Sequence, residues 1–328
     1  HRVDRRQRQM CIRDRPDLVW IKNQDATDNH CLFDALRGVT QVMFANADTA
    51  EATDSDTLDA FQTDGFKVDA DVKVNTSGED YMTYCWKANG TGSSDTNGTI
   101  NSTATSANTT AGFSIVTYTG TGANATVGHG LGIVPKFIIV LKRSATGDHR
   151  TGHIGYGGGD WNDACRLTTT NAIFDDAEVW NDTVPTTTLF SIGASGNVNT
   201  SGGTHCAYVW GDVQGFSKFS VYTGNHNADG PFVYTGFRPA CIILKRTENT
   251  DVWHIVDNKR SGYNSSTPWL YPSTTAAEDA STQVEILSNG FKLRTTNTGI
   301  NASGEVYIYA AWAEAPFVNS NGVPCNAR

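Results

Sequence analysis

A short closing motif occurs three times in this chain and constrains its fold more than any other feature. The motif reads Asn-x-Ser-Gly, and a tryptophan follows eight residues after the glycine. The three copies are NTSGEDYMTYCW at 75–86, NTSGGTHCAYVW at 199–210 and NASGEVYIYAAW at 301–312. Recurrence of this kind predicts an internal repeat in which the three tryptophans Trp86, Trp210 and Trp312 occupy corresponding positions.

The similarity extends on both sides of the motif and sets the boundaries of the units. GFSIVTYTGTG from Gly112 matches GFSKFSVYTGN from Gly215, and the proline-led segments PDLVWIK, PKFIIVLKR and PACIILKR correspond. The predicted units are residues 16–88, 112–214 and 215–317. The first copy lacks the opening GFS…YTG hairpin, so we expect it to be truncated at its N-terminus.

Three segments fall outside these units. Residues 1–15 contain six arginines and are predicted to be an adapter-derived or disordered tail that packs against nothing. Residues 89–111 are rich in Ser, Thr, Asn and Gly and are predicted to be a weakly ordered linker. Residues 318–328 are predicted to be a C-terminal tail.

Each unit is predicted to be all-β. Its strand-like runs combine β-branched and aromatic residues, and Asn-Gly, Asp-Gly and Ser-Gly turns separate them. The continuous apolar runs FIIVLK and CIILK are typical of strands buried on both faces. We therefore predict tandem β-sandwich, jelly-roll-like repeats of about 100 residues. Each repeat is expected to have its own core, as in a chain of beads.

Composition and charge exclude several classes of protein. The chain has no apolar run of about 18 residues and begins with charged residues, so we expect neither membrane insertion nor a signal peptide. A formal net charge of −9 argues against binding to nucleic acid. The seven cysteines are scattered without a CxxC pair, which indicates buried free thiols, with a disulfide framework or a zinc site as the alternatives.

No motif points to catalysis, and we expect no catalytic, metal or cofactor-binding residue. The segment GDHRTGHIGYGGGDWND at 147–163 has His and Asp side chains that could bind metal or transfer protons, but a variable polar loop is the favoured interpretation. Asp34 with Arg37 and Asp257 with Arg260 share the spacing Asp-x-x-Arg. We interpret them as ion pairs across a turn, and an exposed pair of this kind contributes only ~0–1 kcal/mol.

Aromatic residues in the loops are the candidate binding residues. Rings exposed on the loops of a β scaffold can stack on sugars or anchor a protein partner, and the alternative is that they close the ends of the sandwich. The candidates are Tyr156, Trp161, Trp180, Tyr263, Trp269 and Tyr271.

The chain resembles a family of marine bacteriophage virion proteins. The resemblance lies in NHCLFDALRG at 29–38, GFSIVTYTGTGANATVGHGLGIVPKFIIVLKR at 112–143, ADGPFVYTGFRPACIILKR at 228–246 and EILSNGFKLRTTNTGINASGEVYIYAAWAEAPF at 285–317. Members of that family look like tail-fibre or tail-associated structural proteins, often with a lectin-like β-sandwich upstream. The resemblance implies no active site.

These observations lead to one expected function and two alternatives. The resemblance implies a tail-fibre-like structural protein of the phage virion, made in the host cytoplasm, which spaces or presents a host-recognition surface. The expected partners are other virion proteins, a host surface glycan and, as a homotrimer, further copies of the chain. The alternatives are a carbohydrate-binding module of a larger secreted or virion protein, and a glycan depolymerase.

Overall fold

The computed structural model describes residues 15–260, 268–281 and 283–314, and its regular structure is almost entirely β. These ranges contain 23 strands and three helices of four residues each. The predicted all-β class is therefore confirmed. Within the described ranges, no helix has the length and apolar character that crossing a bilayer demands.

The elements follow one another along the three units. Unit 1 contains β1 (Leu18–Asn23), β2 (Cys31–Asp34), β3 (Gln41–Phe44), β4 (Ala52–Thr53), β5 (Leu58–Gln62), β6 (Gly65–Val68), α1 (Val72–Asn75) and β7 (Tyr81–Trp86). Then come β8 (Ala104–Asn108) and unit 2, with β9 (Phe113–Thr119), β10 (Ala125–Gly128), β11 (Pro135–Lys142), β12 (Arg150–His153), β13 (Asp163–Arg166), β14 (Phe174–Asp175), α2 (Ala177–Trp180), β15 (Leu189–Ile192) and β16 (Thr204–Gly211). Unit 3 contains β17 (Ser217–Thr223), β18 (Phe232–Tyr234), β19 (Pro239–Arg246), β20 (His254–Asp257), β21 (Val284–Leu287), β22 (Gly290–Leu293), α3 (Thr298–Asn301) and β23 (Val306–Ala313).

In every unit the proline-led strand pairs antiparallel with the strand that ends in tryptophan. The three large sheets have the orders β4-β3-β2-β1-β7, β14-β13-β12-β11-β16-β9-β8 and β17-β23-β19-β20. A small sheet accompanies each of them: β5-β6, β10-β15 and β18-β22-β21. Side chains of both sheets meet in one apolar cluster per unit, which gives each unit the core of a sandwich.

Alternation along the proline-led strands places apolar side chains on both faces of each large sheet. On β11, Ile138 and Val140 point into the core of unit 2, whereas Phe137, Ile139 and Leu141 point to the opposite face. The strands β1 and β19 divide their side chains in the same way. This confirms that the continuous apolar runs are strands buried on both faces.

The second faces of the three large sheets meet in a central cluster that all three units share. The rings of Trp86, Trp210 and Trp312 lie at its middle, in contact with one another. The distances between their ring centroids are 5.8 Å for Trp86 and Trp210, 5.3 Å for Trp86 and Trp312, and 5.9 Å for Trp210 and Trp312. All three contacts are edge-to-face, with interplanar angles of 66° to 70°.

The expectation of a chain of beads is therefore wrong in one respect. Each unit does have its own core, but the units also surround a common one. The physical reason is the apolar second face of each large sheet, which a separate bead would leave in water. Burying that face against two other sheets removes it from solvent.

Main-chain hydrogen bonds run from each unit to another and close the three into a ring. Among these bonds, an amide of the first unit donates to the second, one of the second to the third and one of the third to the first. These bonds are Glu51 N to Arg143 O at 3.0 Å, Ile173 N to Thr247 O at 3.0 Å and Glu278 N to Gln24 O at 2.8 Å.

The segment 89–111 is ordered, contrary to the expectation of a weakly ordered linker. Its strand β8 pairs with β9 and extends the sheet of unit 2, and Ser106 within it is fully buried. Ser106 Oγ accepts a hydrogen bond from Asn89 N at 2.8 Å. The edge of β9 provides the main-chain partners that the composition of the segment does not reveal. At the other boundary, residues 1–14 lie outside the described part of the chain, and the Arg15 guanidinium lies over the Phe61 ring.

Five of the cysteines are buried free thiols, as predicted, and Cys11 and Cys325 lie outside the described residues. The five are Cys31, Cys85, Cys165, Cys206 and Cys241. Burial raises the pKa of Cys85 to about 12 and also raises the pKa of the other four. A thiol that is both inaccessible and protonated is a poor nucleophile.

Alkylation of the native protein is therefore expected to leave these five cysteines unmodified. The same reagent in strong denaturant should modify all five, because unfolding exposes the thiols and restores their ordinary pKa. Peptide mass spectrometry after iodoacetamide treatment measures both states. Rapid modification of any of the five under native conditions would contradict their burial in the core of unit 1 and in the central cluster.

Candidate functional site

Most of the loop aromatics that the sequence offers as binding residues are buried. Tyr156, Trp161, Trp180 and Trp269 are each at most 2% exposed, so none presents a ring to a ligand. Trp161 and Trp180 pack edge to face at 5.6 Å over the bare backbone of Gly152, where a β-carbon would collide with both rings. Trp161, Trp180 and Trp269 belong to the cores of their own units and Tyr156 belongs to the central cluster, so the assignment of all four as exposed contacts is corrected.

The two remaining candidates differ. Tyr271 is half-buried, and its hydroxyl donates to Asp279 Oδ2 at 2.6 Å. Tyr263 lies outside the described residues.

The histidines of the segment 147–163 form interfaces between units and do not converge with its aspartates. His149 Nε2 lies 3.0 Å from Phe44 O of unit 1, and His153 Nε2 lies 3.1 Å from Tyr309 O of unit 3. Asp148 pairs with Arg150 and Arg166. In the part of the chain that the structure describes, no group of three or more His, Cys, Asp and Glu is placed to hold a metal ion.

The motif Asp-x-x-Arg marks a buried charge cluster between units, where an exposed pair was expected. Asp34 and Arg37 have fully buried side chains, and Tyr208 of unit 2 donates its hydroxyl to Asp34 Oδ2 at 2.8 Å. Arg37 reaches Glu51 at 3.1 Å, and Glu51 also binds Arg143 of unit 2 at 2.8 Å. Burial alone would raise the pKa of Asp34, but the guanidinium of Arg37 holds it below its usual value.

A second cluster of the same design joins units 3 and 1. Asp257 binds Arg260 at 2.7 Å and accepts a hydrogen bond at 3.0 Å from the hydroxyl of Tyr84 of unit 1. Arg260 also binds Glu278 at 3.0 Å. The side chains of Asp257 and Arg260 are at most 3% exposed. Charges this far from water are closely matched to their partners, because an unmatched buried charge costs several kcal/mol.

The interface between units 2 and 3 has neither the aspartate nor the tyrosine of the other two interfaces. Ala310 pairs with Ile243 as Tyr208 pairs with Ile139, so a methyl group stands where the other interfaces have a tyrosine. The position of Asp34 and Asp257 is taken by His153. Gly155 N donates to His153 Nδ1 at 2.9 Å, so the ring proton is on Nε2 and is donated to Tyr309 O. Burial lowers the pKa of His153 to about 3, which keeps the ring neutral.

Removing one of the interface hydroxyls measures what these clusters contribute. Tyr208→Phe and Tyr84→Phe are each expected to lower the free energy of unfolding by ~1.5–3 kcal/mol, because the acceptor is a charged carboxylate. Tyr118→Phe is the matched control. Its buried hydroxyl donates to the neutral Val198 O at 2.7 Å, and its loss should cost only ~0.5–1.5 kcal/mol. Urea denaturation of the three variants gives the comparison, and equal losses would contradict charged interface bonds.

The described residues do present one exposed aromatic pair, which lies on β18 at the outer face of unit 3. Phe232 is 46% and Tyr234 is 64% exposed, and Val233 between them points into the core. The Phe232 ring lies over Gly290 on the neighbouring strand, and a β-carbon there would come within 3.0 Å of the ring. Residues two apart on a strand share a face, so the two rings are adjacent. We call Phe232 and Tyr234 the aromatic pair.

Charged side chains lie beside the aromatic pair. Asp229 binds Lys292 at 2.8 Å and Arg294 at 2.9 Å, and Arg294 also binds Glu285 at 2.8 Å. Lys292 is directly opposite Phe232 across the strand pair. A flat apolar platform with charged groups at its rim is suited to a ligand with both apolar faces and hydroxyl groups.

In unit 2 the corresponding strand is covered by the segment 89–111. Thr99 Oγ1 accepts a hydrogen bond from Thr126 N of β10, and Ile100 forms a bridge with Val127. Among the described residues no segment covers β18 in this way. The difference between units 2 and 3 exposes the aromatic pair.

The sequence missed the aromatic pair for an identifiable reason. In the sequence, PFVYTGF stands out only as part of ADGPFVYTGFRPACIILKR, a stretch that carries the family resemblance. The signal is the order aromatic–valine–aromatic, which places the two rings on one face of a strand and the valine on the other. The pattern does not say which face is covered, because the covering segment of unit 2 is far away in sequence.

Comparison with known proteins gives a match to a family model described as a domain of unknown function, DUF7483. The match covers residues 4–316, and therefore all three units. No curated protein matches the chain, and no solved structure matches it.

Proposed function

This chain belongs to the DUF7483 family, and on that premise we propose that it is a tail-fibre-like structural protein of a phage virion that spaces or presents a host-recognition surface. The observation that carries the proposal is the closed ring. The buried charge clusters of Asp34 and Asp257 hold unit 1 to units 2 and 3. The aromatic pair is exposed at the outer face of unit 3. A rigid body that carries an exposed aromatic surface suits passive presentation. The resemblance to marine phage virion proteins supports the assignment to a virion.

Other virion proteins are the partners in this proposal, and the protein is proposed to act as a homotrimer in the phage tail. Mass spectrometry of purified phage particles tests the location, with the expected result that peptides of all three units are present at stoichiometric level. Particles that lack these peptides while carrying capsid and tail proteins would refute it. Size-exclusion chromatography with light scattering gives the oligomeric state.

The aromatic pair favours a second function, the binding of a glycan at the host surface. Sugar rings stack on exposed aromatic side chains, and the rim of Asp229, Lys292, Arg294 and Glu285 offers hydrogen bonds to hydroxyl groups. In this proposal the glycan is bound by these side chains without a metal ion or a cofactor. The two functions are compatible, since a virion protein can carry a glycan site.

The double variant Phe232→Ala/Tyr234→Ala is expected to abolish glycan binding on an array of bacterial surface polysaccharides. Its stability should fall by only about 1 kcal/mol, because Tyr234 is mostly in water and Phe232, at 46% exposed, is only partly packed. Val184→Ala is the matched control, since it removes an apolar side chain that is 48% exposed elsewhere on unit 2. Binding that survives in the double variant, or that Val184→Ala removes equally, would rule out the aromatic pair as the site.

A further inference from the structure

Two arginines of unit 2 lie opposite one another on neighbouring strands of its large sheet. Arg150 of β12 and Arg166 of β13 are paired directly in the register of these antiparallel strands. Side chains opposite each other in such a register lie on the same face of the sheet, where two like charges repel each other. We call Arg150 and Arg166 the arginine pair. The fold tolerates an unfavourable arrangement of charge at this place.

The other two units have uncharged side chains at the positions of the arginine pair. The strand registers equate the pair with a thiol and an aromatic ring in one unit, and with an imidazole and an aromatic ring in the other. These residues are Cys31 and Phe44 in unit 1, and His254 and Tyr271 in unit 3. Burial lowers the pKa of His254 to about 3, so its ring is uncharged. The sandwich itself therefore does not require charged groups here.

Arg150 is almost completely buried but makes far fewer hydrogen bonds than two other buried arginines of the chain. Its side chain is 7% exposed, and its one hydrogen bond to a described residue runs from Nη1 to Asp148 Oδ2 at 3.1 Å. Its Nε is buried without a partner. By contrast, Arg37 makes five such bonds and Arg260 makes four. Since buried donors are normally paired, Arg150 calls for a further acceptor.

Arg166 also has unused donors. Its Nε donates to Asp148 Oδ2 at 3.0 Å, and within the described part of the chain its two terminal nitrogens donate to no other group. The side chain is 28% exposed, so the arginine pair is open to solvent on this side. Both guanidinium groups thus converge on one carboxylate oxygen, which shows that the pair is arranged to hold an oxyanion.

The charges around the arginine pair leave it positive. Asp176 also acts on Arg150, but its side chain accepts a hydrogen bond from Glu178 N, and no ion pair among the described residues joins it to either arginine. Two guanidinium groups therefore share the single carboxylate of Asp148. Burial and the neighbouring charge of Arg166 lower the pKa of Arg150 below its ordinary value, because its own charge is poorly compensated.

An aromatic ring orients both guanidinium groups. The Cζ atoms of Arg166 and Arg150 lie 4.3 and 5.3 Å from the centroid of the Phe174 ring. A guanidinium group over an aromatic face is held by cation–π attraction and keeps its N–H groups available at its edge. The arginine pair is therefore in place before a ligand arrives, which reduces the entropy cost of binding.

We propose that the arginine pair, over the ring of Phe174, is a binding site for one oxyanion, of the sulfate or carboxylate kind. The oxyanion accepts hydrogen bonds from the unused nitrogens of both guanidinium groups, whose planar forks match its oxygens. Its negative charge offsets the repulsion between the two arginines. The site is on unit 2 and the aromatic pair is on unit 3, so this inference does not rest on the proposed function.

Titration of the whole chain with sodium sulfate, and separately with sodium acetate, tests the site at an ionic strength held constant with sodium chloride. The Nε–Hε cross-peaks of Arg150 and Arg166 in the NMR spectrum should shift along one saturable curve. The expected dissociation constant is on the order of 1 mM, as for a small ion held by a few charge-assisted hydrogen bonds. The proposal is overturned if neither anion shifts these cross-peaks, because water then satisfies the arginine pair.

Protein variants locate the binding on unit 2. Arg166→Gln should weaken the binding of sulfate about ten-fold, since it removes charge-assisted hydrogen bonds. Arg166→Lys keeps the charge without the fork and should fall between the two, and it carries the comparison if Arg166→Gln does not fold. Arg238→Gln is the matched control, because Arg238 is 35% exposed and is also paired with a carboxylate, that of Glu314. Equal weakening by the substitutions at Arg166 and Arg238 would overturn the proposal.

A sugar sulfate identifies the source of the oxyanion. If a galactose sulfate ester binds at least as tightly as inorganic sulfate and galactose does not bind, the oxyanion is a group of a sulfated sugar. If inorganic sulfate binds and the ester does not, the site takes a free anion. Galactose that shifts the same cross-peaks with the affinity of its sulfate ester would overturn the proposal, because the oxyanion then contributes nothing.

Discussion

At pH 5 the folded chain is expected to be less stable than at pH 7.5 by on the order of 10 kcal/mol, which exceeds the stability of many domains. Six buried histidines with lowered pKa values are the cause: His30, His129, His149, His153, His205 and His254. Burial disfavours the charged ring and lowers each pKa, to about 4 for His129, His149 and His205 and to about 3 for His153 and His254. In the unfolded chain each histidine takes up its proton near pH 6.5.

The sign of the effect follows from these values. Below pH 6.5 the unfolded state binds protons that the folded state does not, so stability is complete above that pH and falls as the solution becomes more acidic. The loss continues down to the folded-state values near pH 3–4. Each histidine contributes about 2 kcal/mol at pH 5. Asp34, whose pKa is held below 3.8, adds a further loss at still lower pH.

Urea denaturation at a series of pH values between 8 and 5 measures the slope. His205→Phe should reduce the slope by one proton, and the stacking on Tyr118 at 5.2 Å should survive because a phenyl ring can make it. The corresponding position of unit 3 carries Tyr307, so an aromatic ring without a titrating nitrogen fits there. His226→Gln is the matched control, because it removes an exposed histidine. Stability that does not vary between pH 7.5 and pH 5 would contradict the burial of these rings.

Replacing one tryptophan of the central cluster is expected to destabilise the whole ring as one body. Trp312→Ala should lower the free energy of unfolding by ~3–5 kcal/mol, because it removes the largest side chain at the point where three sheets meet. In a chain this long the midpoint of thermal unfolding should fall by roughly 10 °C. Differential scanning calorimetry should show a single transition before and after the change. Independent beads would instead give a separate transition for the damaged unit.

A double-mutant cycle distinguishes direct contact between two tryptophans from the independent loss of two large side chains. Trp86→Phe and Trp312→Phe, made singly and together, should show a coupling energy of about 1 kcal/mol, because the two rings touch at 5.3 Å. The matched pair Trp86→Phe and Trp180→Phe should be additive within about 0.5 kcal/mol, since Trp180 belongs to the core of unit 2. Additivity in both pairs would contradict the central cluster.

The predictable part of this fold is what depends on local patterns. The apolar runs on β11 and β19 predicted strands buried on both faces, and the Ser-Gly turns fall where Gly78, Gly202 and Gly304 adopt positive φ values of 90°, 70° and 77°. A turn at such φ favours glycine, and its sequence signal is therefore direct. The three tryptophans were predicted to correspond, and the structure places all three in one cluster.

The unpredicted part depends on partners that are distant in sequence. The pattern on β11 shows that two faces are apolar but not that the second face meets two other units. Trp161 and Trp180 look like loop aromatics until Gly152, on a neighbouring strand, leaves room for them. The Asp-x-x-Arg spacing signals an ion pair, but its burial depends on Tyr208 and Tyr84, each from another unit. The aromatic pair is exposed because a strand of unit 3 lacks the cover that unit 2 has.

The closed ring also limits how the gene of such a protein can change. An open array tolerates duplication or deletion of one repeat, since the remaining repeats stack as before. Three edge-to-face tryptophans leave no place for a fourth, and loss of one would expose the apolar faces of the other two sheets. His153 and Ala310 stand together where the other interfaces have aspartate and tyrosine, so both sides of that interface lack the charged hydrogen bond.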